Sequence, residues 1–299
     1  MKIWILEKRK DFDSYTSKRF KETSKKMGIE LKLVAPEELD LIVTKEGNKS
    51  ILYNGNLIGL PDCLIPRMGT VTYYALAIIR HFERLGIFVL NSSQSMETSK
   101  DKLATLQLLA SNNIPIPKTM LAKFPLNISV VEKEFDYPLI LKTITGSQGR
   151  GVFLLEDRNK LNDIASLMEI SKDPKINLIL QEFISSSRGR DIRVIVIGGR
   201  TIGAMLRTAV NNNFKANYSA GGIVAPFGLN PVIEWLSIES VRLVGLDIAG
   251  VDILFDGDNY KVCEINSYPG FEGFEKATGI DVPEEVYKYM QVRLEGSIE

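Results

Sequence analysis

Short continuous apolar runs punctuate the first hundred positions: KIWIL at 2–6, ELKLVA at 30–35, CLIPR at 63–67 and IFVLN at 87–91. Between them the spacing turns helical, in the amphipathic SYTSKRFKETSKKMG and again over 72–85, where Tyr74, Ile78, Phe82 and Leu85 recur every three or four residues. Apolar strands alternating with amphipathic helices predict a small parallel α/β domain. Next comes SSQSMETSKDKLATLQLLASNN, with Ser and Thr capping candidates ahead of a helix whose leucines stand at 103, 106, 108 and 109; IPIPKT ends it. YPLILKTITGSQGRGVFLL reads as strand, glycine-containing loop and strand, followed by a helix near 158–171 and the strand NLILQEFI. Beyond Gly189 the pattern becomes antiparallel, with DIRVIVIGG and RTIGAMLRTA predicting a hairpin over Gly198, Gly199 and Arg200. A polar loop, VNNNFKANYSAGG, and a helix over 231–243 lead to a second hairpin, GVDILFDGDNYKVCEINSYPG. There is no internal repeat.

That last hairpin carries Asp252, Glu264 and Asn266 within apolar strands, where carboxylates are rarely buried without partners. Facing water from a half-exposed hairpin would account for them. So would a shared face that holds a hard cation through oxygen ligands, as magnesium or calcium requires. Alternation puts Glu264, Asn266 and Val262 on one face and Cys263 and Ile265 on the other. If residues 257–259 form the turn, Asp252 falls opposite Glu264; a two-residue turn would set it opposite Cys263 and break the site.

Composition narrows the classes. With 299 residues and 44% hydrophobic content the chain can bury two or three cores. Lys and Arg total 37, matched by 37 Asp and Glu, so no net field favours a nucleic acid or an anionic membrane as partner. The start, MKIWILEKRKDFDSYTSKRF, resembles neither a signal peptide nor a membrane span, which implies a cytoplasmic protein. Cys63 and Cys263 lie far apart in apolar runs and read as buried thiols. His81 is the sole histidine and sits in a helical segment as a structural residue; a multi-histidine zinc site is excluded and a Ser-His or Cys-His nucleophile would depend on it alone.

A second constellation surrounds Lys142, at the end of an apolar strand just before Gly146, Gly149 and Gly151. Glycines let backbone amides approach phosphate oxygens, and the lysine adds a point charge. A plain hairpin turn would explain the glycines as well. LILQEFI runs into Glu182 and Phe183, a strand edge able to hydrogen-bond adenine, and Asp191 could take ribose hydroxyls.

In order and spacing, SKDKLATLQLLASNNIPIPKT, PLILKTITGSQGRGV, LILQEFI with RDIRVIVIG, FKANYSAGG, GVDIL and EINSYPGFEGFEKATGID resemble the ATP-grasp superfamily, specifically its RimK-type carboxylate-amine ligases, from residue 60 to about 282. The resemblance implies a mixed α/β ATP-grasp fold: a pre-grasp domain over 1–95, a central lid domain over 96–184 and a C-terminal antiparallel-sheet domain with the metal site over 185–299. It implies magnesium ligation by Asp252, Glu264 and Asn266, with two ions and manganese able to stand in. It assigns Lys102 and Lys142 to phosphates, Gly146, Ser147, Gln148, Gly149 and Gly151 to the lid loop, Gln181, Glu182, Phe183 and Ile184 to adenine, Asp191 to ribose, and Lys215 and Asn217 to a phosphate-reaching loop. Arg207 and Lys142 become the catalytic candidates.

Such a site solves a chemical problem, because a carboxylate is a poor acyl donor and no nucleophile here could form an acyl-enzyme. Phosphorylation by ATP would give an acyl phosphate that an amine converts to an amide, releasing ADP, with a small molecule, peptide or protein tail as acceptor and an amino acid, glutamate by family habit, as donor. The family is often oligomeric. A non-catalytic ATP-binding subunit is the rival; a dinucleotide-binding oxidoreductase is disfavoured because no GxGxxG follows KIWIL. Two departures touch the substrate side: Ala220 stands where the family has arginine, and Tyr268 where it has a small hydroxyl residue, two before Gly270. Arg67, in the strand-end loop IPRMGT, is the remaining candidate to hold a substrate carboxylate.

Overall fold

KIWIL forms a central strand because a sheet covered on both faces tolerates an unbroken apolar run. The computed structural model describes residues 1–45, 50–68, 72–144, 151–171, 177–211, 213–216, 218 and 221–296. In it β1 (Lys2–Leu6), α1 (Tyr15–Lys26) and β2 (Glu30–Val34) follow the predicted order. The short strands β3 (Leu39–Leu41), β4 (Ile51–Tyr53) and β5 (Asn56–Leu57) then make a small antiparallel sheet that no apolar run announces. Its local signal is Asn54-Gly55, whose φ angles of 51° and 76° are those of a tight hairpin turn. With β6 (Cys63–Pro66), α2 (Tyr73–Arg84) and β7 (Phe88–Val89) the first sheet is complete, parallel and ordered β2-β1-β6-β7. Trp4 and Leu6 pack with Ile78, Ile79 and Phe82 on one face, and Ile3 and Ile5 with Phe20 on the other.

The next segment holds two helices where the leucine spacing suggests one: α3 (Ser93–Lys100) and α4 (Lys102–Ser111). Asp101 is extended, and its side chain accepts from the Ala104 amide. The cap of the leucine helix is therefore an aspartate, and Lys102 opens α4. A second sheet, ordered β10-β9-β11-β8, is antiparallel and has its own core around Leu141, Leu155 and Leu180. Its strands and helices run β8 (Thr119–Leu121), α5 (Ile128–Glu134), β9 (Leu139–Thr143), β10 (Val152–Leu155), α6 (Arg158–Ser171) and β11 (Leu178–Glu182). The loop glycines Gly146 and Gly149, with Ser147 and Gln148, lie outside the described residues.

The third sheet comprises β12 (Arg190–Ile197), β13 (Arg200–Thr208), β14 (Ile223–Phe227), β15 (Ile248–Asp256) and β16 (Asn259–Asn266), with α7 (Pro231–Val244) between β14 and β15. It is antiparallel, in the order β14-β13-β12-β15-β16. The β12–β13 turn is two residues, Gly198 and Gly199, both at positive φ, and Arg200 already belongs to β13 rather than to the turn. Helices α4 and α7 cover one face of this sheet. The last helices, α8 (Glu272–Thr278) and α9 (Val282–Glu295), return to the first domain, where Tyr287 donates its hydroxyl to the Phe20 carbonyl at 3.0 Å. Among the described residues no helix is long and apolar enough to cross a membrane.

Candidate active site

The opposition of Asp252 and Glu264 is achieved, though not by a three-residue turn. Asp256 pairs with Asn259, so the turn is Gly257-Asp258, with Gly257 at φ 60°. The ladder shifts between Asp252 and Ile253, and Cys263 is left as the extra residue of a β-bulge that restores Asp252 opposite Glu264. A bulge directs two consecutive side chains toward the same side. Cys263 accordingly faces the cleft, its Sγ 3.4 Å from Lys142 Nζ, and is half-buried rather than buried; Val262 turns into the core beside Ile265. The simple alternation is corrected at those two positions.

The face so formed is a row of cross-strand charges. Arg207 stands opposite Asp191, with Nε 2.5 Å from Oδ1, and its Nη2 reaches Asp252 at 3.0 Å. Arg193, which the sequence reading did not single out, stands opposite Asp252 and grips it through two 2.7 Å bonds. Its signal was available: Asp191 and Arg193 are two apart in an otherwise apolar strand, and so share a face. Burial opposes ionisation of Asp252, but the two guanidinium groups outweigh it and hold its pKa at about 2. Burial raises the pKa of Asp191, against the pull of Arg207. Asn266 sits opposite Gly250, with Nδ2 3.4 Å from Asp252 Oδ2, and Glu264 lies 3.1 Å from Lys102 Nζ.

The second sheet meets this row. Lys142 donates to Gln181 Oε1 at 2.6 Å, and Gln181 is fixed in turn by Thr119 Oγ1 at 2.9 Å. Glu182 accepts from the Lys118 amide at 2.8 Å and from Lys261 at 2.6 Å. Phe183 has the Arg188 guanidinium 5.8 Å from its ring centre, and Ile184 is buried. Gly151 takes φ 71°, and an added Cβ would lie 2.7 Å from Thr143 Oγ1, so a larger residue would be strained there. Lys215 lies 5.3 Å from the Phe214 ring centre, and burial lowers its pKa. Asn217 and Ala220 lie outside the described residues.

Asp252, Glu264 and Asn266 thus converge and offer only oxygen and amide donors, which suits a hard cation such as magnesium. Their present neighbours Arg193, Arg207 and Lys102 supply positive charge where a cation would sit. Arg67, just past the end of β6, is buried at 6% exposure, with the Tyr268 ring centre 3.9 Å from its guanidinium; Gly270 is exposed. His81 contacts Ser50 Oγ at 2.9 Å in the first domain, as a structural residue would. A surface hollow of about 450 Å³ lies elsewhere, between α1 and the start of α9, and its charges Arg19, Glu275 and Asp281 already pair with one another.

Comparisons with known proteins identify the family. The RimK PreATP-grasp domain model matches residues 1–96 and the RimK-like ATP-grasp domain model residues 99–290. A protein of Maridesulfovibrio salexigens named "probable alpha-L-glutamate ligase" is 36% identical over 97% of this chain and 95% of its own. A protein of the same name from a Marinomonas species is 34% identical over the same shares. Among solved structures, the ATP-grasp ligase PsnB complexed with minimal precursor gives a TM-score of 0.77 at 20% identity, covering 97% of both chains; its complex with minimal precursor, Mg and ADP gives 0.76 at 19%, covering 98% of both. With the two family models together matching residues 1–96 and 99–290, the chain belongs to the RimK-type ATP-grasp family of carboxylate-amine ligases.

Proposed function

We propose that this enzyme is an ADP-forming ligase that activates a carboxylate as an acyl phosphate and joins it to the amine of an amino acid, glutamate being the first candidate. The observation that carries the reading is the convergence of Asp252, Glu264 and Asn266 with Lys102 and Lys142 on one cleft face. Bound there, magnesium would neutralise phosphate charge and orient the terminal phosphoryl group; we assign two ions, with manganese able to replace them. Lys142 and Lys102 add donors to the same oxygens, and Arg207 is placed to meet the transferred group. Gln181, Glu182, Phe183 and Ile184 line the adenine side, Asp191 the ribose side, and Gly151, Lys215 and Asn217 the phosphate side. Arg67, Tyr268 and Gly270 form the substrate side.

Glutamate is suggested by the names of the relatives, and a peptide or protein-tail acceptor by the precursor held in PsnB. The three parts divide at residues 95 and 184, and dependence on ATP suits the cytoplasm. A non-catalytic ATP binder would have no need of the full ligand set. Incubation with ATP, magnesium and a panel of amino acids crossed with candidate acids, followed by mass spectrometry, is expected to yield a condensation product and stoichiometric ADP. Nucleotide binding with neither product nor ADP would favour the non-catalytic reading.

A further inference from the structure

Glu7 and Arg67 each follow the last residue of a strand, β1 and β6, which are parallel neighbours; the Arg67 amide donates to the Leu6 carbonyl at 2.7 Å. Ligands of parallel α/β sheets gather at the carboxyl ends of the strands. Both side chains are buried, Glu7 at 0% and Arg67 at 6% exposure, yet both keep an atom unpaired. Glu7 Oε1 accepts from the Ser17 hydroxyl at 2.6 Å, while among the described residues Oε2 has no hydrogen-bond partner and Arg67 Nε has none. Leaving a buried polar atom unmatched costs about 1–3 kcal/mol, more for a charge, so two such atoms at adjacent strand ends call for a ligand. Rings surround the guanidinium: Tyr268 at 3.9 Å, Phe20 at 5.4 Å and Phe271 at 5.5 Å. Tyr268 is the half-buried one of the three, and it hangs two residues beyond Asn266. Its chain is anchored where the Ser267 carbonyl accepts from Asn91 Nδ2 at 2.8 Å.

We propose that Glu7 and Arg67 form the subsite for the free amino acid, Arg67 receiving the α-carboxylate and Glu7 the α-ammonium, with the Tyr268 ring moving aside to admit it. This rests on the reading that an amino acid is the amine donor. A zwitterion is the one common metabolite class that answers a fixed cation and a fixed anion at once. A simple dicarboxylate or a simple amine would leave one of the two unmatched.

Titration calorimetry in ADP-Mg, where turnover is impossible, tests this with the twenty amino acids. At least one should bind the wild-type protein, and the analogue with hydrogen in place of its α-amino group should bind about tenfold or more weakly, as should the α-carboxamide, since each lacks one charge-assisted hydrogen bond. Glu7→Gln should lose that discrimination against the desamino analogue, Arg67→Met should weaken both ligands, and neither should change the affinity for ADP-Mg by more than about twofold. Stopped-flow association should be faster in Tyr268→Ser. Wild-type protein that binds no amino acid, or that binds acid, desamino analogue and amide alike, overturns the subsite, and this comparison needs no variant to fold. Failure of the ligase reading looks different: no product and no ADP with any substrate pair. A product formed by Glu7→Gln with an unchanged KM for the amino acid overturns the subsite alone.

Discussion

Replacing Asp252 by Asn and Glu264 by Gln should both stop ADP formation, yet only the first should weaken the fold. Arg193 and Arg207 face Asp191 and Asp252 in a buried quartet whose charges cancel, and Asp252→Asn leaves it with one excess positive charge. With its pKa held at about 2 instead of the ordinary 3.8, the Asp252 carboxylate favours the folded state by about 2–3 kcal/mol at neutral pH. The sign follows from a depressed pKa: the contribution is present above pH 4 and lost as pH falls toward 2. Asp191, left with more of the Arg207 charge to itself, recovers part of the loss, so about 2 kcal/mol is expected to be missing in the variant. Glu264 is 32% exposed and pairs with Lys102, a contact worth about 1 kcal/mol or less. Urea unfolding followed by circular dichroism should give that ordering at pH 7, and the gap between wild type and Asp252→Asn should narrow at pH 3. An Asp252→Asn protein as stable as wild type at pH 7, or less stable than Glu264→Gln by nothing measurable, refutes the reasoning.

Glu7→Gln should raise the melting temperature at pH 7, because burial lifts the Glu7 pKa and its ionised form penalises the fold; the penalty disappears below the ordinary carboxylate range, so the two proteins should converge near pH 4 in differential scanning calorimetry. Asn91 makes four hydrogen bonds of 2.7–2.8 Å, to the amides of Asp247 and Ile248 and the carbonyls of Ile248 and Ser267. Asn91→Ala strands these buried groups and should cost about 3 kcal/mol in urea unfolding while lowering the rate of ADP formation, since the Ser267–Gly270 turn loses its tether. Tyr287→Phe removes one buried hydrogen bond and should cost about 1 kcal/mol by the same measure, with steady-state constants for ATP unchanged.

The sequence discloses element types well wherever one face of an element is buried, because burial imposes a period. It reaches residues 2–6, 158–171 and 231–243 for that reason, the last helix running one residue further in the structure. It is silent over β3–β5, whose two- and three-residue strands are too short to show a period, and it merges α3 with α4 because a capping aspartate followed by lysine does not interrupt the spacing. The β15–β16 hairpin shows a deeper limit. Counting from the turn gives the right pair, Asp252 with Glu264, through the wrong turn, since the two-residue turn and the bulge at Cys263 differ from a three-residue turn by compensating single residues. Val262 could have revealed the error: an apolar residue beside two acids on one polar face is a local conflict, and moving it into the core requires an odd residue somewhere before Glu264. Arg193 was legible by alternation alone. The nearness of Glu7 to Arg67 was not, because sixty positions separate them and only the order of parallel strands makes them neighbours. A charge at the end of an apolar strand is therefore visible in a sequence, whereas the group it faces depends on topology. That is why the expected nucleotide-contacting residues, which lie in contiguous motifs, can be listed from the sequence, while the nearness of Glu7 to Arg67 emerges only once β1 and β6 lie side by side.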